Sequence, residues 1–416
     1  MNAHLTPDAR VACTTCLVQC PVARVSSAFL GPRLIGPAWE RFRRLGMAED
    51  ASLHYCANCK NCDISCPQGV SVSRINVLAR IEQCRSAGFR PRDWLLAHGD
   101  VLASLLRYIP AGLKNFGMNN PLSRRCLDML GVARQATLPA YAPDDFMRLF
   151  RKVAQPATGR EVVFFPGCYT NTYDPQTGLD LVWLLNRAGY RVIVPDTACC
   201  GLPLLANGYA DDARARAERN LAALAPYRER GVPMITACPS CALTFNTDME
   251  EFFPEVVARH GACFMGDAQS FVLDCVDAGT LPLPTGDDAL PPVPLKLAYH
   301  APCHLRASGR GLPGLALLRC LPGVEAVNTN AGCCGQSGSY GFKKEHYDIA
   351  QAVGAPLFQA IRDSGATLAT SECGTCRIQI SHGCHMACAH PLNIVRLWLD
   401  WKNHHDPQRE TGKGIA

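Results

Sequence analysis

Ten cysteines of this chain fall into two sets of five with the same order and spacing. The first set is Cys168, the adjacent pair Cys199 and Cys200 followed by Gly201, then Cys238 and Cys241. The second is Cys303, the pair Cys333 and Cys334 followed by Gly335, then Cys373 and Cys376. Each member of the second set lies 134 or 135 positions after its partner. Register held over that distance marks an internal duplication, and each copy is expected to hold a metal centre.

The 24 cysteines among 416 residues sit mostly in short C-x-x-C runs, and the opening MNAHLTPDAR lacks the apolar stretch of a secretory leader. That pattern favours metal ligation in a reducing compartment over disulfides. No apolar run reaches the ~18 residues of a spanning helix, so the chain is expected not to cross a membrane. Residues 1–155 carry 20 Lys and Arg against 11 Asp and Glu, and the remainder 21 against 25. The basic first part suits anionic lipid or an acidic partner, or is simply a solvated surface. With no basic-aromatic recognition module, nucleic acid is not expected as a partner.

Short apolar stretches alternate with helical patterns in both repeats. Glu161–Phe165 runs into Cys168, Arg191–Val194 precedes Cys199, and Met234–Ala237 precedes Cys238; Leu295–Tyr299 and Thr367–Thr370 answer before Cys303 and Cys373. Helical periodicity covers Asp211–Arg228 and Glu345–Arg362. Strand and helix in alternation predict a parallel sheet, with sites beyond the carboxyl ends of its strands. All five cysteines of a set can then converge on one edge. The expected architecture is α/β overall: a small helical two-cluster ferredoxin-like domain (1–85), a helical connector (86–158), two tandem α/β repeats (159–285 and 292–400) and a polar tail (401–416). The Pro-rich stretch Leu281–Pro292 reads as the linker between the repeats.

Cys56, Cys59, Cys62 and Cys66, followed by Pro67, spell C-x2-C-x2-C-x3-C-P, the bacterial ferredoxin run for a [4Fe–4S] cubane. Structural zinc prefers ligands in separated pairs. Cys13, Cys16 and Cys20, followed by Pro21, match the last three cysteines of the same run, with Arg10 at the position of the first. In such runs the fourth cysteine serves the other cluster. Cys20 therefore completes one cubane with Cys56, Cys59 and Cys62, while Cys13, Cys16 and Cys66 leave the second short of a ligand. Its fourth iron takes another ligand, for which His4 and Asp8 are the nearby candidates, or is labile or absent. Five thiolates in each repeat exceed the needs of a cubane or a tetrahedral zinc, so a non-cubane cluster with one bridging sulfur is favoured. Gly201 and Gly335 relieve backbone crowding after the paired cysteines.

Other signals carry less. Gly309, Gly311 and Gly314 spell G-x-G-x-x-G, but the run starts too far after its strand and lacks the acidic residue of a nucleotide site. His300 and His304 bracket Cys303 and invite a role at a cluster, against the commoner reading of local hydrogen bonding. Cys84, Cys126, Cys263, Cys275 and Cys320 read as buried packing residues. Cys384 and Cys388 with His382, His385 and His390 raise a small zinc site as a minority reading.

A two-cluster ferredoxin-like start followed by two C…CCG…CxxC repeats resembles the C-subunit family of anaerobic glycerol-3-phosphate dehydrogenases. The likeness extends to segments outside the cysteine pattern: Cys20–Val25, Leu204–Gly208, Tyr340–Glu345 and Gly354–Phe358. The wider group includes the B subunit of heterodisulfide reductase and iron–sulfur subunits of glycolate and lactate oxidation. The resemblance implies an electron carrier that is not catalytic by itself. It would accept electrons from flavoprotein dehydrogenase subunits and deliver them to membrane quinone, attached peripherally at the cytoplasmic face of the inner membrane. Arg92–Lys114 is then a candidate interfacial stretch, beside the more ordinary reading of helices packed on the protein's own core. It also implies that Cys168, Cys199, Cys200, Cys238 and Cys241, and Cys303, Cys333, Cys334, Cys373 and Cys376, bind up to two non-cubane [4Fe–4S] clusters. The alternatives left open are a disulfide- or thiol-coupled reductase, and the iron–sulfur subunit of a glycolate or lactate oxidation complex.

Overall fold

Val162, Val163 and Phe164 are wholly buried at the end of the strand Arg160–Phe164 (β1). Successive side chains of a strand point to opposite faces, and β1 is apolar on both because both faces are covered. Val162 and Phe164 enter a core built with the helices Pro175–Arg187 and Ala268–Asp277; Val163 and Phe165 enter a second core under Ala210–Glu229 and Pro254–His260. β1 pairs in parallel with Tyr190–Ile193 (β2) and Met234–Thr236 (β3), and β3 with Gly266–Asp267 (β4), in the order β2-β1-β3-β4. The computed structural model describes residues 13–47, 50–88, 90–283 and 295–404.

The second repeat answers strand for strand. Leu295–Tyr299 (β5), Val324–Asn328 (β6), Leu368–Thr370 (β7) and Cys388–Ala389 (β8) form another parallel sheet in the order β6-β5-β7-β8. The mixed α/β architecture with two parallel sheets is therefore as read from the sequence. Leu297 and Tyr299 of β5 enter the same core as Val162 and Phe164. The helices Pro175–Arg187, Ala268–Asp277, Pro313–Arg319 and Pro391–His404 form the shared layer, so the two sheets pack back to back through helices. Asp174 caps its helix by accepting from Thr177 N–H and also takes the Arg377 guanidinium at 2.6 Å, tying one repeat to the other.

The N-terminal segment is helical and short in its elements: Thr15–Val18, Asn61–Ile64 and the 16-residue Val72–Ala87. It docks on both repeats. Arg80 donates to the Cys56 carbonyl at 2.6 Å and to the Ala206 carbonyl at 2.7 Å. Lys60, buried, reaches Asp248 at 2.6 Å. Residues 91–129 form short helices (Pro91–Ala97, Gly99–Leu105, Ala111–Asn119, Pro121–Met129) that cover the edge where the repeats meet. No helix of the described residues is long and apolar enough to cross a membrane. Most of the linker Leu281–Pro292, the tail beyond His404, Arg10 and the candidates His4 and Asp8 lie outside the described residues.

Candidate metal centres

Every cysteine of the two five-membered sets follows the carboxyl end of a strand. Cys168 lies in the helix opened by Gly167 after β1, Cys199 and Cys200 follow β2, and Cys238 and Cys241 start the helix after β3. Cys303, the pair Cys333 and Cys334, and Cys373 with Cys376 occupy the same places in the second sheet. After each pair the backbone turns left-handed, with φ +95° at Gly201 and +86° at Gly335. At Gly335 a Cβ would come within 2.0 Å of the Ala350 carbonyl oxygen, so this turn admits glycine alone.

Both sets open onto one cavity of about 380 Å³, and all ten thiols line it. The connector forms its roof through Leu95, Leu102, Leu106, Met118, Leu138 and Tyr141, none of which carries a sequence signal tying it to the cysteines. Among the described residues, no Lys or Arg lines it. The thiols come as close pairs, Cys168 and Cys199 at 3.5 Å and Cys334 and Cys376 at 3.2 Å between Sγ atoms. Five thiols in each set exceed the four that a tetrahedral zinc takes, which suits a cluster of several irons better.

The charges these thiols can hold follow the same pattern in both sets. Neighbouring S–H groups pull Cys199 and Cys333 well below the usual thiol range, through Cys168 and Cys200 in one set and Cys303 and Cys334 in the other. Cys238 is lowered by Cys241, and Cys373 falls to about 5 beside Cys376. The remaining three of each set are pushed up by those same contacts and by burial. With ten thiols around one cavity and no lysine or arginine in its described wall, thiolates there have no protein cation beside them, and a positively charged metal core would supply the balance. The residues present fit iron–sulfur centres on that ground.

In the N-terminal segment, Cys20, Cys56, Cys59 and Cys62 line one small cavity, the four that the crossover spacing groups together. Burial pushes Cys20 up to about 11. It raises Cys59 well above the usual range, with Cys333 the strongest charged neighbour after burial itself. This centre abuts the second repeat, where Cys20 and Cys56 pack with Cys333. Cys16 and Cys66 pack with Cys62 against Val70, Val72 and Ile75. N–H groups already point at sulfurs: Gly335 to Cys333 at 3.3 Å, Val70 to Cys66 at 3.4 Å, and the Asn76 amide to Cys56 at 3.6 Å. Such bonds set cluster potentials.

Several sequence readings need correction. Cys126 and Cys320 are exposed and Cys84 is half-buried, whereas Cys263 and Cys275 are buried as read. Among the described residues, helix Pro121–Met129 has no buried side chain, so an apolar cysteine on it has no core to enter. The histidines near Cys384 do not gather. His382 bonds Thr137 and Tyr347, and His390 bonds the Ala237 carbonyl. Among the described residues the one tight group of metal-binding side chains is His300, Cys334 and Cys376. Burial lowers His300 to about 4, which leaves its imidazole neutral. His304 instead bridges, its ring bonded to Ser240 Oγ at 2.8 Å and the Asn58 carbonyl at 3.2 Å.

A parallel α/β duplication whose strand ends present ten thiols to one cavity, joined to a helical segment with seven more cysteines from Cys13 to Cys66, defines a protein built to hold several iron–sulfur centres. Comparison with known proteins agrees. A family model described as a cysteine-rich domain matches residues 162–246 and 297–381, and one described as a 4Fe-4S dicluster domain matches 11–70. The chain is 36% identical over 400 residues to the C subunit of anaerobic glycerol-3-phosphate dehydrogenase from Escherichia coli K12, covering 92% of this chain and 96% of that one. It therefore belongs to the family of that C subunit, and it carries iron–sulfur clusters. More distant are the B subunit of fumarate reductase (CoM/CoB) from Methanothermobacter marburgensis, at 27% over 89% of this chain and 66% of that one, and the glycolate oxidase iron-sulfur subunit of E. coli, at 22% over 94% and 93%.

Proposed function

We propose that this chain takes electrons from flavoprotein subunits that oxidise glycerol 3-phosphate and passes them to a membrane quinone. It would do so while attached peripherally to the cytoplasmic face of the inner membrane. Cys20, Cys56, Cys59 and Cys62 would hold one cubane, and Cys13, Cys16 and Cys66 the other, incomplete in cysteine. Each five-cysteine set would hold a non-cubane centre. Bound clusters supply reversible one-electron carriers; the protein's part is to hold them close together, dry, and open to an acceptor at one end.

The observation that carries this reading is the shared cavity. Its roof is apolar and its described wall has no Lys or Arg, so it suits a neutral, apolar acceptor better than an anionic soluble thiol or disulfide. The packing of Cys20 and Cys56 with Cys333 supports a continuous route from the N-terminal segment into the repeats. Over the roof, Leu105, Tyr108, Leu113, Phe116, Leu122 and Met129 are each more than 60% exposed, with Arg107 and Arg125 exposed among them. An apolar face fringed by basic residues is the composition of an interfacial contact.

The test is anaerobic reduction of the purified chain with a glycerol-3-phosphate flavoprotein, followed by addition of vesicles containing menaquinone. Reoxidation of the clusters by the vesicles, and none by vesicles lacking quinone, is expected. Turnover of a heterodisulfide by the viologen-reduced chain alone would instead favour a disulfide reductase.

A further inference from the structure

The duplication keeps the ten cysteines but not the residues around them, and one of the changes puts a metal-binding side chain in the second copy. Three residues before Cys168 stands Phe165, and three before Cys303 stands His300. Both are buried, at 1% and 2% exposure. His300 follows β5 directly, and its backbone N–H bonds the Thr370 carbonyl of β7 at 2.9 Å, which fixes the residue at the strand ends. One of its ring nitrogens and the Sγ atoms of Cys334 and Cys376 all lie within 4.8 Å of one another. Three donors at that spacing can meet on one metal ion. The Nε2 atom is buried and bonds no protein group among the described residues. A buried polar atom without a partner is rare enough to require a reason, and an iron held by Cys334, Cys376 and that nitrogen would supply one.

We propose that His300 is a nitrogen ligand to iron in the second repeat's centre, so that the duplicated sites hold different centres: sulfur and nitrogen donors in the second, sulfur alone in the first. This rests on reading Cys303, Cys333, Cys334, Cys373 and Cys376 as that centre's cysteine ligands. The two centres would then differ in donor set, and so in reduction potential. The second centre is also the one against which Cys20 and Cys56 pack, through Cys333.

The experiment compares 57Fe Mössbauer spectra of the full chain, purified anaerobically, with those of His300→Phe, which installs the first repeat's residue. One iron site distinct in the unaltered chain and lost in the variant, at unchanged iron content, is expected. Superimposable spectra would overturn the proposal. To cover loss of iron from the variant, the unaltered chain is also grown with 15N-histidine and read by pulsed EPR. A strongly coupled nitrogen that persists in His304→Gln supports His300, and its disappearance in His304→Gln overturns it. If the unaltered chain holds only the iron of the N-terminal centres, the cysteine assignment fails and this proposal with it.

Discussion

Ser240 Oγ and His304 Nδ1 lie 2.8 Å apart, joining the C-x-x-C run of the first repeat to the helix that carries Cys303 in the second. The other ring nitrogen of His304 reaches the Asn58 carbonyl, between Cys56 and Cys59, at 3.2 Å. One buried side chain thus holds three cysteine groups in register. His304→Leu removes both bonds and strands the buried Asn58 carbonyl, at a cost of about 1–3 kcal/mol. A fall in stability of that order is expected in chemical denaturation of the cluster-loaded chain. His304→Gln, which keeps hydrogen-bonding capacity, should lose less.

Asp267 gives a pH-dependent outcome. It caps the helix Ala268–Asp277 by accepting from Ser270 N–H at 2.9 Å, yet burial raises its carboxyl from 3.8 to about 6. The native state therefore holds the proton more tightly than the unfolded chain. Stability from this group is present below about 3.8 and is lost as pH rises through 6. Asp267→Asn keeps a good cap without the buried charge. It should stabilise the protein at pH 8 by on the order of 2 kcal/mol, and the gain should shrink towards pH 5, measured by thermal unfolding at both values.

Much of this layout is written in the chain. β1, β3, β5 and β7 were legible because buried apolar runs end at cysteines, and the long helices because their periodicity spans 20 residues each in Ala210–Glu229 and Lys344–Asp363. β4 and β8 have two residues each, too few to leave a pattern. β6, Val324–Asn328, sits at a sheet edge and interleaves Glu325 and Asn328 with its apolar residues. The shared cavity was not legible at all. It depends on how two sheets pack through Pro175–Arg187 and Pro391–His404, and no local sequence rule carries that angle. His300 was visible as a residue flanking Cys303, but the lack of a partner for its Nε2 among the described residues emerges only once burial is known.

The apolar face over the cavity separates membrane attachment from folding. Phe116 and Leu122 are 69% and 73% exposed, so Phe116→Glu with Leu122→Glu should change stability by no more than about 0.5 kcal/mol per site. Binding to anionic vesicles, measured by co-sedimentation, should fall roughly tenfold or more, since two apolar side chains would leave the interface and two negative charges would meet anionic lipid. Cluster content and the visible spectrum should not change. Undiminished vesicle binding would move the contact to another surface.

The two glycines after the paired cysteines look equivalent in sequence but are not in space. Both have positive φ, which costs an alanine on the order of 1 kcal/mol. At Gly201 an added Cβ would meet the Ala213 carbonyl oxygen at 3.4 Å, an ordinary contact; at Gly335 it would meet that of Ala350 at 2.0 Å, where backbone must move. Gly201→Ala should therefore fold, load its clusters and lose about 1 kcal/mol. Gly335→Ala should displace Cys333 and Cys334, whose thiols share the cavity with the first set. Iron analysis should then show a deficit in Gly335→Ala alone, with the N-terminal signals retained. Equal iron in the two variants would mean that the helix Lys344–Asp363 yields to the added methyl, and that the second centre tolerates a shift of its paired cysteines.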